Sequence, residues 1–193
     1  CAYNTNIVYA IATNQLLFWG LIIAEFAAVF YLAARIERMS FATAGIVFLV
    51  YSVLNGVFFS TIFLAYTLGS IASTFFITAG TFGAMSLVGY FIKKDLSALG
   101  RFLMMALIGL IIASVVNIFL QSSLLMWICT ICGVLLFSGL TAYDTQKIKQ
   151  MFLMHGAEMN ESTMKLALMG SLTLYLDFIN LFIYLLRIFG DRK

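Results

Sequence analysis

Charge is what this chain has least of. Aspartate, glutamate, lysine and arginine make up only 10% of its 193 residues, and hydrophobic side chains make up 63%. A soluble domain carries about 25% charged residues. Such a chain cannot cover a water-facing surface, so its solvent over most of its length must be lipid. Proline is absent, and helix kinks must therefore come from glycine or from polar insertions. Histidine occurs once, as His155 in a polar stretch, with no second ligand at metal spacing and hence no zinc site. There is no G-x-S-x-G, no H-E-x-x-H and no phosphate loop, and no serine or tyrosine stands beside a base. No enzymatic activity and no cofactor is expected. The net charge of +3 is small, and the basic residues lie between apolar runs, as membrane flanks do. No nucleic-acid partner is expected.

Cysteines are few: Cys1, Cys129 and Cys132. The last two form a C-x-x-C inside an apolar run, which reads as small, lipid-compatible residues one helical turn apart. A redox motif would need water access and a soluble strand–helix setting. Residues Cys1 to Asn14 lack the basic n-region of a signal peptide.

A transmembrane helix needs about 20 mostly apolar residues. Six runs qualify: Gln15–Ala34, Thr43–Tyr66, Ile71–Ile92, Arg101–Leu120, Leu124–Tyr143 and Leu166–Phe189. Ile7–Thr13 can lengthen the first. Short connections at Gly69–Ser70 and Gln121–Ser123 force sequential helices to be antiparallel neighbours, so the expected fold is an all-α bundle of six transmembrane helices in a single domain over residues 1–193. Charged and neutral connections alternate. Arg35, Glu37 and Arg38 follow the first run, Lys93, Lys94, Asp95 and Arg101 the third, and Lys147, Lys149 and Lys165 the fifth. The positive-inside rule puts all three on the cytoplasmic side. Arg192 and Lys193 then fall outside if the last helix crosses fully. Small residues, among them Ser73, Thr74, Thr78, Gly80, Gly83, Ala84 and Gly89 in the third run and Ala106, Gly109 and Ala113 in the fourth, suit close helix packing in lipid.

Ionisable residues inside a span are costly, so each needs a reason. Three carboxylates qualify: Glu25, Asp144 and Asp177. Asp177 belongs to a polar series, Thr173, Asp177, Asn180, Tyr184 and Arg187, whose spacings of four, three, four and three share one helix face. That face must look into the bundle or onto water. Asp144 stands at the end of its run. On position alone it reads as a solvated helix-end carboxylate, with Lys147 as a candidate partner. An aspartate at a helix C-terminus opposes the dipole unless the helix continues past it. Glu25 sits mid-helix, and Arg187 is a candidate ion-pair partner, though about 15 Å away in depth at 1.5 Å per residue.

Several of these stretches resemble one family. Leu174-Tyr175-Leu176-Asp177-Phe178-Ile179-Asn180-Leu181-Phe182 is similar to the last helix of the Bax inhibitor (transmembrane Bax inhibitor motif) family, and Thr141-Ala142-Tyr143-Asp144-Thr145-Gln146-Lys147 to the end of its penultimate helix. Gly89-Tyr90 with Lys93-Lys94-Asp95-Leu96-Ser97, and Tyr51 with Asn55-Gly56, resemble its bacterial branch. The resemblance covers essentially the whole chain. It implies seven helices around a central last one, so this sequence, showing six, looks like a protein lacking its first span. It implies residence in a bacterial inner membrane and a pH-sensitive calcium leak. It also implies that Asp144 and Asp177 form a facing pair that gates calcium by sharing a proton. Other members are described as cell-death suppressors or regulators of membrane-protein quality control. A scaffold that restrains another membrane protein, such as a protease, is therefore the alternative.

Two carboxylates about 4 Å apart repel by roughly 4 kcal/mol at an effective dielectric near 20, so such a pair is expected to titrate as one unit. Calcium competing with the shared proton prefers about six to eight oxygens. Two aspartates supply at most four, and water, backbone carbonyls or Asn180 must supply the rest. A weak site of that kind suits passage better than storage.

Overall fold

A computed structural model describes residues 40–155 and 161–193, with the isolated positions 14, 16, 20, 27 and 31. The first apolar run, Glu25 and Cys1 lie outside the described residues. The described secondary structure is helical apart from one isolated bridge. The helices are α1 (Phe41–Phe59), α2 (Ile62–Ala65), α3 (Leu68–Phe91), α4 (Ser97–Leu120), α5 (Ser123–His155) and α6 (Glu161–Phe189). Five stretches among the described residues are long and apolar enough to cross a membrane: Ala42–Ala65, Leu68–Phe91, Ser97–Leu120, Ser123–Met154 and Thr163–Phe189. Their outer faces are large apolar side chains such as Phe76, Met105, Phe119 and Leu135. A water-soluble protein does not expose apolar area on that scale.

The boundaries differ from the sequence expectation in two instructive places. Between α1 and α2 the second run breaks at Ser60–Thr61. The Ser60 hydroxyl donates to the Val57 carbonyl at 2.6 Å, a back-bond that bends helices. The break thus coincides with a hydroxyl back-bond and not with a proline. At the other end, α5 does not stop near Tyr143. It continues through Asp144 to His155, so Asp144 is not a helix-end residue and His155 is not in a loop. Half-buried Ile148, Met151 and Phe152 continue the i, i+3, i+4 pattern. With neither proline nor glycine to interrupt it, the helix persists after the run of hydrophobicity ends. At 33 residues it is about 50 Å long at 1.5 Å per residue, well beyond a hydrocarbon core of about 30 Å.

The chain divides into two compact units. Unit 1 includes Cys1–Leu68, Glu158–Met169 and Asp191–Lys193. Within it the last residues pair with the α2–α3 connection: Tyr66 and Arg192 form the antiparallel bridge, Thr67 N–H donates to Asp191 O at 3.1 Å, and Lys193 N–H to Ala65 O at 3.0 Å. The Lys193 ammonium donates to the Phe63 carbonyl at 2.8 Å. Its charge thus meets carbonyls at the end of α2, where a helix dipole favours a cation.

Unit 2, Gly69–Ala157 with Gly170–Gly190, holds the core: Leu103 and Leu110 of α4, Cys129, Leu136, Phe137 and Leu140 of α5, and Leu181 and Leu185 of α6. Cys129 is a core residue and Cys132 is exposed, both as free thiols. The α4–α5 turn is tight. Gln121 takes a left-handed conformation with φ 48°, and the Asn117 side chain accepts the Ser122 N–H at 3.0 Å. Glycine permits the closest approaches. A Cβ on Gly89 of α3 would collide with the backbone carbonyl of Ala142 in α5, and one on Gly133 would lie 2.6 Å from the Tyr184 ring of α6. Gly80, Gly83 and Gly109, expected at helix contacts, face open space instead.

Candidate functional site: a carboxyl pair between α5 and α6

Within unit 2, α6 runs antiparallel to α5 in a register set by three contacts. Gly170 meets Ile148, the carboxyls of Asp177 and Asp144 face each other at close range, and the Tyr184 ring stacks on Phe137 with centroids 5.8 Å apart. Each step along α5 is matched by an opposite step along α6, so the two aspartates come together from complementary helix faces. Asp177 is 5% exposed and Asp144 half-buried. One oxygen of Asp177, Oδ2, is buried without a hydrogen-bond partner. Ionised carboxylates only accept hydrogen bonds, so two carboxyls placed in this way can bond to each other only with a proton between them. Without that proton, two like charges face each other in a site with little water.

The third wall is α3. Phe178, the neighbour of Asp177, meets the rings of both Phe75 and Phe82, with centroids 5.6 and 5.4 Å away, and Phe182 meets Phe75 at 6.4 Å. Residues 75–82 of α3 therefore lie alongside the Asp177 turn. Farther along, Gly89 touches Ala142, two residues from Asp144.

Beyond the pair, α5 ties down the connection from α3 to α4. Gln146, buried, accepts the Leu96 N–H at 2.9 Å and donates to the carbonyls of Lys94 at 3.0 Å and Ile92 at 3.4 Å. Lys149 donates to the Tyr90 carbonyl at 2.7 Å and lies 4.6 Å from that ring's centroid. The charged connection at 92–96 and the charged end of α5 thus share one end of unit 2. There Asp95 accepts from the Ser97 N–H at 2.9 Å and hydroxyl at 2.7 Å, and these bonds hold its carboxyl below the ordinary carboxylate range.

The polar face of α6 is only partly interior. Thr173, Asn180 and Tyr184 are half-buried, and the Asn180 amide donates to its own helix at Leu176 O, 2.8 Å. Arg187 departs from the expected interior series. It is exposed, and its guanidinium stands 5.4 Å from the centroid of the Tyr184 ring. It occupies the last turn of α6, where the dipole favours a cation and a long side chain can reach toward the interface. Its expected partner, Glu25, lies outside the described residues. Among the described residues no third histidine, cysteine, aspartate or glutamate joins Asp144 and Asp177. The tie made by Gln146, named above only as part of a family motif, escaped the sequence reading, since its partners are backbone atoms about fifty residues away and leave no local pattern.

Residues 2–193 match the family described as inhibitor of apoptosis-promoting Bax1. The chain belongs to the Bax inhibitor family. It is 50% identical over 192 residues to the inner membrane protein YbhL of Escherichia coli (strain K12), a match covering 100% of this chain and 82% of that protein. It is 46% identical over 190 residues to a protein of Borreliella burgdorferi, covering 98% of this chain and 82% of the relative. With an uncharacterized membrane protein of Streptococcus pyogenes serotype M1 it shares 37% identity over 188 residues, 97% of this chain and 80% of the relative. Together with its membrane-spanning helices, this kinship makes the chain an integral inner-membrane member of the Bax inhibitor family.

Proposed function

We propose that this Bax inhibitor family protein is a pH-sensitive calcium leak of the inner membrane, a passive path rather than a catalyst, gated by Asp144 and Asp177. The observation that carries the reading is the apposition of two carboxyls inside a lipid-facing bundle. A hydrogen bond between them exists only while the pair holds a proton. Loss of that proton replaces attraction by a repulsion of roughly 4 kcal/mol at about 4 Å and an effective dielectric near 20. The α5–α6 contact is thereby loosened, and two acceptor groups are presented to a hard cation. Proton and calcium compete for the same oxygens, so passage depends on pH. Lys147, one turn beyond Asp144, is the nearest charge along α5 that acts on the pair.

Calcium uptake into liposomes from about pH 6 to 8 tests this for wild type, Asp144→Asn, Asp177→Asn and the double variant. Each single variant should lose flux or pH dependence while still folding, because a buried amide costs less than a buried charge. The double variant should resemble the singles, since the two groups act as one unit. Identical pH profiles for all four proteins would remove the gate and favour a scaffold that restrains another membrane protein.

A further inference from the structure

Unit 2 carries six lysines and arginines, and five of them gather where the α3–α4 connection meets α5: Lys93, Lys94, Arg101, Lys147 and Lys149. The sixth, Arg187, stands in the last turn of α6. The same unit has three carboxyls. Asp144 and Asp177 face each other in the interior, and Asp95 accepts from the Ser97 N–H and hydroxyl. Lys149 is committed to the Tyr90 carbonyl. Lys93, Lys94, Arg101 and Lys147 are exposed, and among the described residues no carboxylate lies within ion-pair distance of them.

Local packing draws these cations together. Gln146 ties the Lys94 carbonyl and the Leu96 N–H to α5. One residue on, the Lys147 ammonium stands 5.9 Å from the centroid of the Tyr143 ring. That ring packs against Gly100 of α4, the residue before Arg101. Two basic segments about fifty residues apart are thus pinned side by side. The positive-inside rule accounts for cations on this side of the membrane. It does not account for their being held together without a counter-charge, since like charges at short range repel.

Aromatic rings border the cations. Phe91 is 70% exposed and Phe102, next to Arg101, is 65% exposed. Aromatic side chains beside basic ones mark the headgroup level of a bilayer. The surface therefore offers positive charge where phosphate lies and apolar rings where acyl chains begin. A soluble polyanion would meet the charge and leave the rings without a partner.

We propose that this end of unit 2 binds the phosphate of an anionic phospholipid, with Lys93, Lys94, Arg101 and Lys147 supplying the charge and Phe91 and Phe102 meeting the acyl chains. Basic surfaces at the ends of spans hold anionic headgroups in this way. A lipid seated there joins the α3–α4 connection to α5 from outside, as Gln146 does from within. The binding stands whether or not the carboxyl pair passes calcium.

The test is the melting temperature of the purified chain in detergent, followed while phosphatidylglycerol or phosphatidylcholine with the same acyl chains is added. Phosphatidylglycerol should raise it, because a ligand of the folded state stabilises that state, and phosphatidylcholine should not. Each basic residue near a headgroup is worth about a fivefold change in affinity. Lys94→Gln should therefore need about fivefold more phosphatidylglycerol for the same shift, and Lys93→Gln with Lys94→Gln about 25-fold more. Arginine at both positions should restore the response, and Arg187→Gln, at the other end of unit 2, should leave it unchanged. Without lipid all these variants should melt as wild type does, since only exposed side chains are altered. Inorganic phosphate should give no shift at the concentration where phosphatidylglycerol saturates, and an equal shift would assign the surface to a free anion and overturn the lipid. Equal responses to the two lipids would also overturn it, as would a wild-type response to phosphatidylglycerol after all four cations are changed to glutamine.

Discussion

Under the proposed gating, side chains of unit 2 should have unequal parts in a pH response, and the inequality can be measured. Asp95 is fully exposed and its carboxyl is held below the ordinary value by the two Ser97 bonds. A depressed folded-state value gives stability that is fully present above the unfolded value of about 3.9 and is lost only as pH falls through the folded one. Between about pH 6 and 8 Asp95 therefore stays charged, and Asp95→Asn should leave the pH profile of calcium uptake superimposable on that of wild type. A displaced profile would put part of the pH response in the 92–96 connection. Gly89 tests packing rather than charge. Gly89→Ala sets a methyl against the Ala142 backbone, which cannot yield as a flexible side chain does. Overpacking of this kind costs about 1–3 kcal/mol, so the variant should melt lower in detergent, while Gly83→Ala, in open space, should not. Asp177 was legible in the sequence because a carboxylate amid apolar residues has few explanations. The placement of Asp144 rested on resemblance alone.

Helix α5 shows where sequence reading and structure part. Hydropathy reports where lipid ends, and helix ends are set by breakers and caps. The two coincide in α3 and α4 to within a few residues. In α5 they differ, because Thr145-Gln146-Lys147 is polar enough to end a span and contains nothing that ends a helix. The continuation past Asp144 places Gln146 against the α3–α4 connection. Replacing it by leucine should leave the Leu96 N–H and the Lys94 carbonyl without their partner. Each buried backbone group so exposed costs about 1–3 kcal/mol. Gln146→Leu should therefore speed hydrogen exchange at Leu96, and an unchanged rate would mean that the amide merely fills space. Similarly, the break between α1 and α2 carries no breaker residue that a reader would mark. The hydroxyl that back-bonds there, on Ser60, belongs to one of many serines in the chain.

At the scale of the whole molecule, alternation of charged and neutral connections ordered the spans, and unit 2 agrees with that order. Lys94 and Lys149 stand at one end of it, and the Gln121 turn closes the other ends of α4 and α5. Cysteines introduced singly at Lys94 and Lys149 should react with a membrane-impermeant reagent from the same side, and one at Gln121 from the opposite side. Labelling of Lys94 and Lys149 from different sides would contradict the antiparallel order. Of Arg192 and Lys193, which stand against the positive-inside reading, the Lys193 ammonium donates to the Phe63 carbonyl.

The length of α5 makes the carboxyl pair observable from a distance. A helix resists bending, so a separation of Asp144 from Asp177 is also a rotation of everything that follows in the same rod. Leu153 and Met154, exposed two to three turns farther on, sweep a larger arc than the aspartates do. Under the proposed gating they are the far end of a pointer whose pivot is embedded in the membrane. Spin labels on either residue, paired with one at Ser97, should then record proton loss at the pair as a change in distance read in water, and an unchanged distance from about pH 6 to 8 would count against the gate.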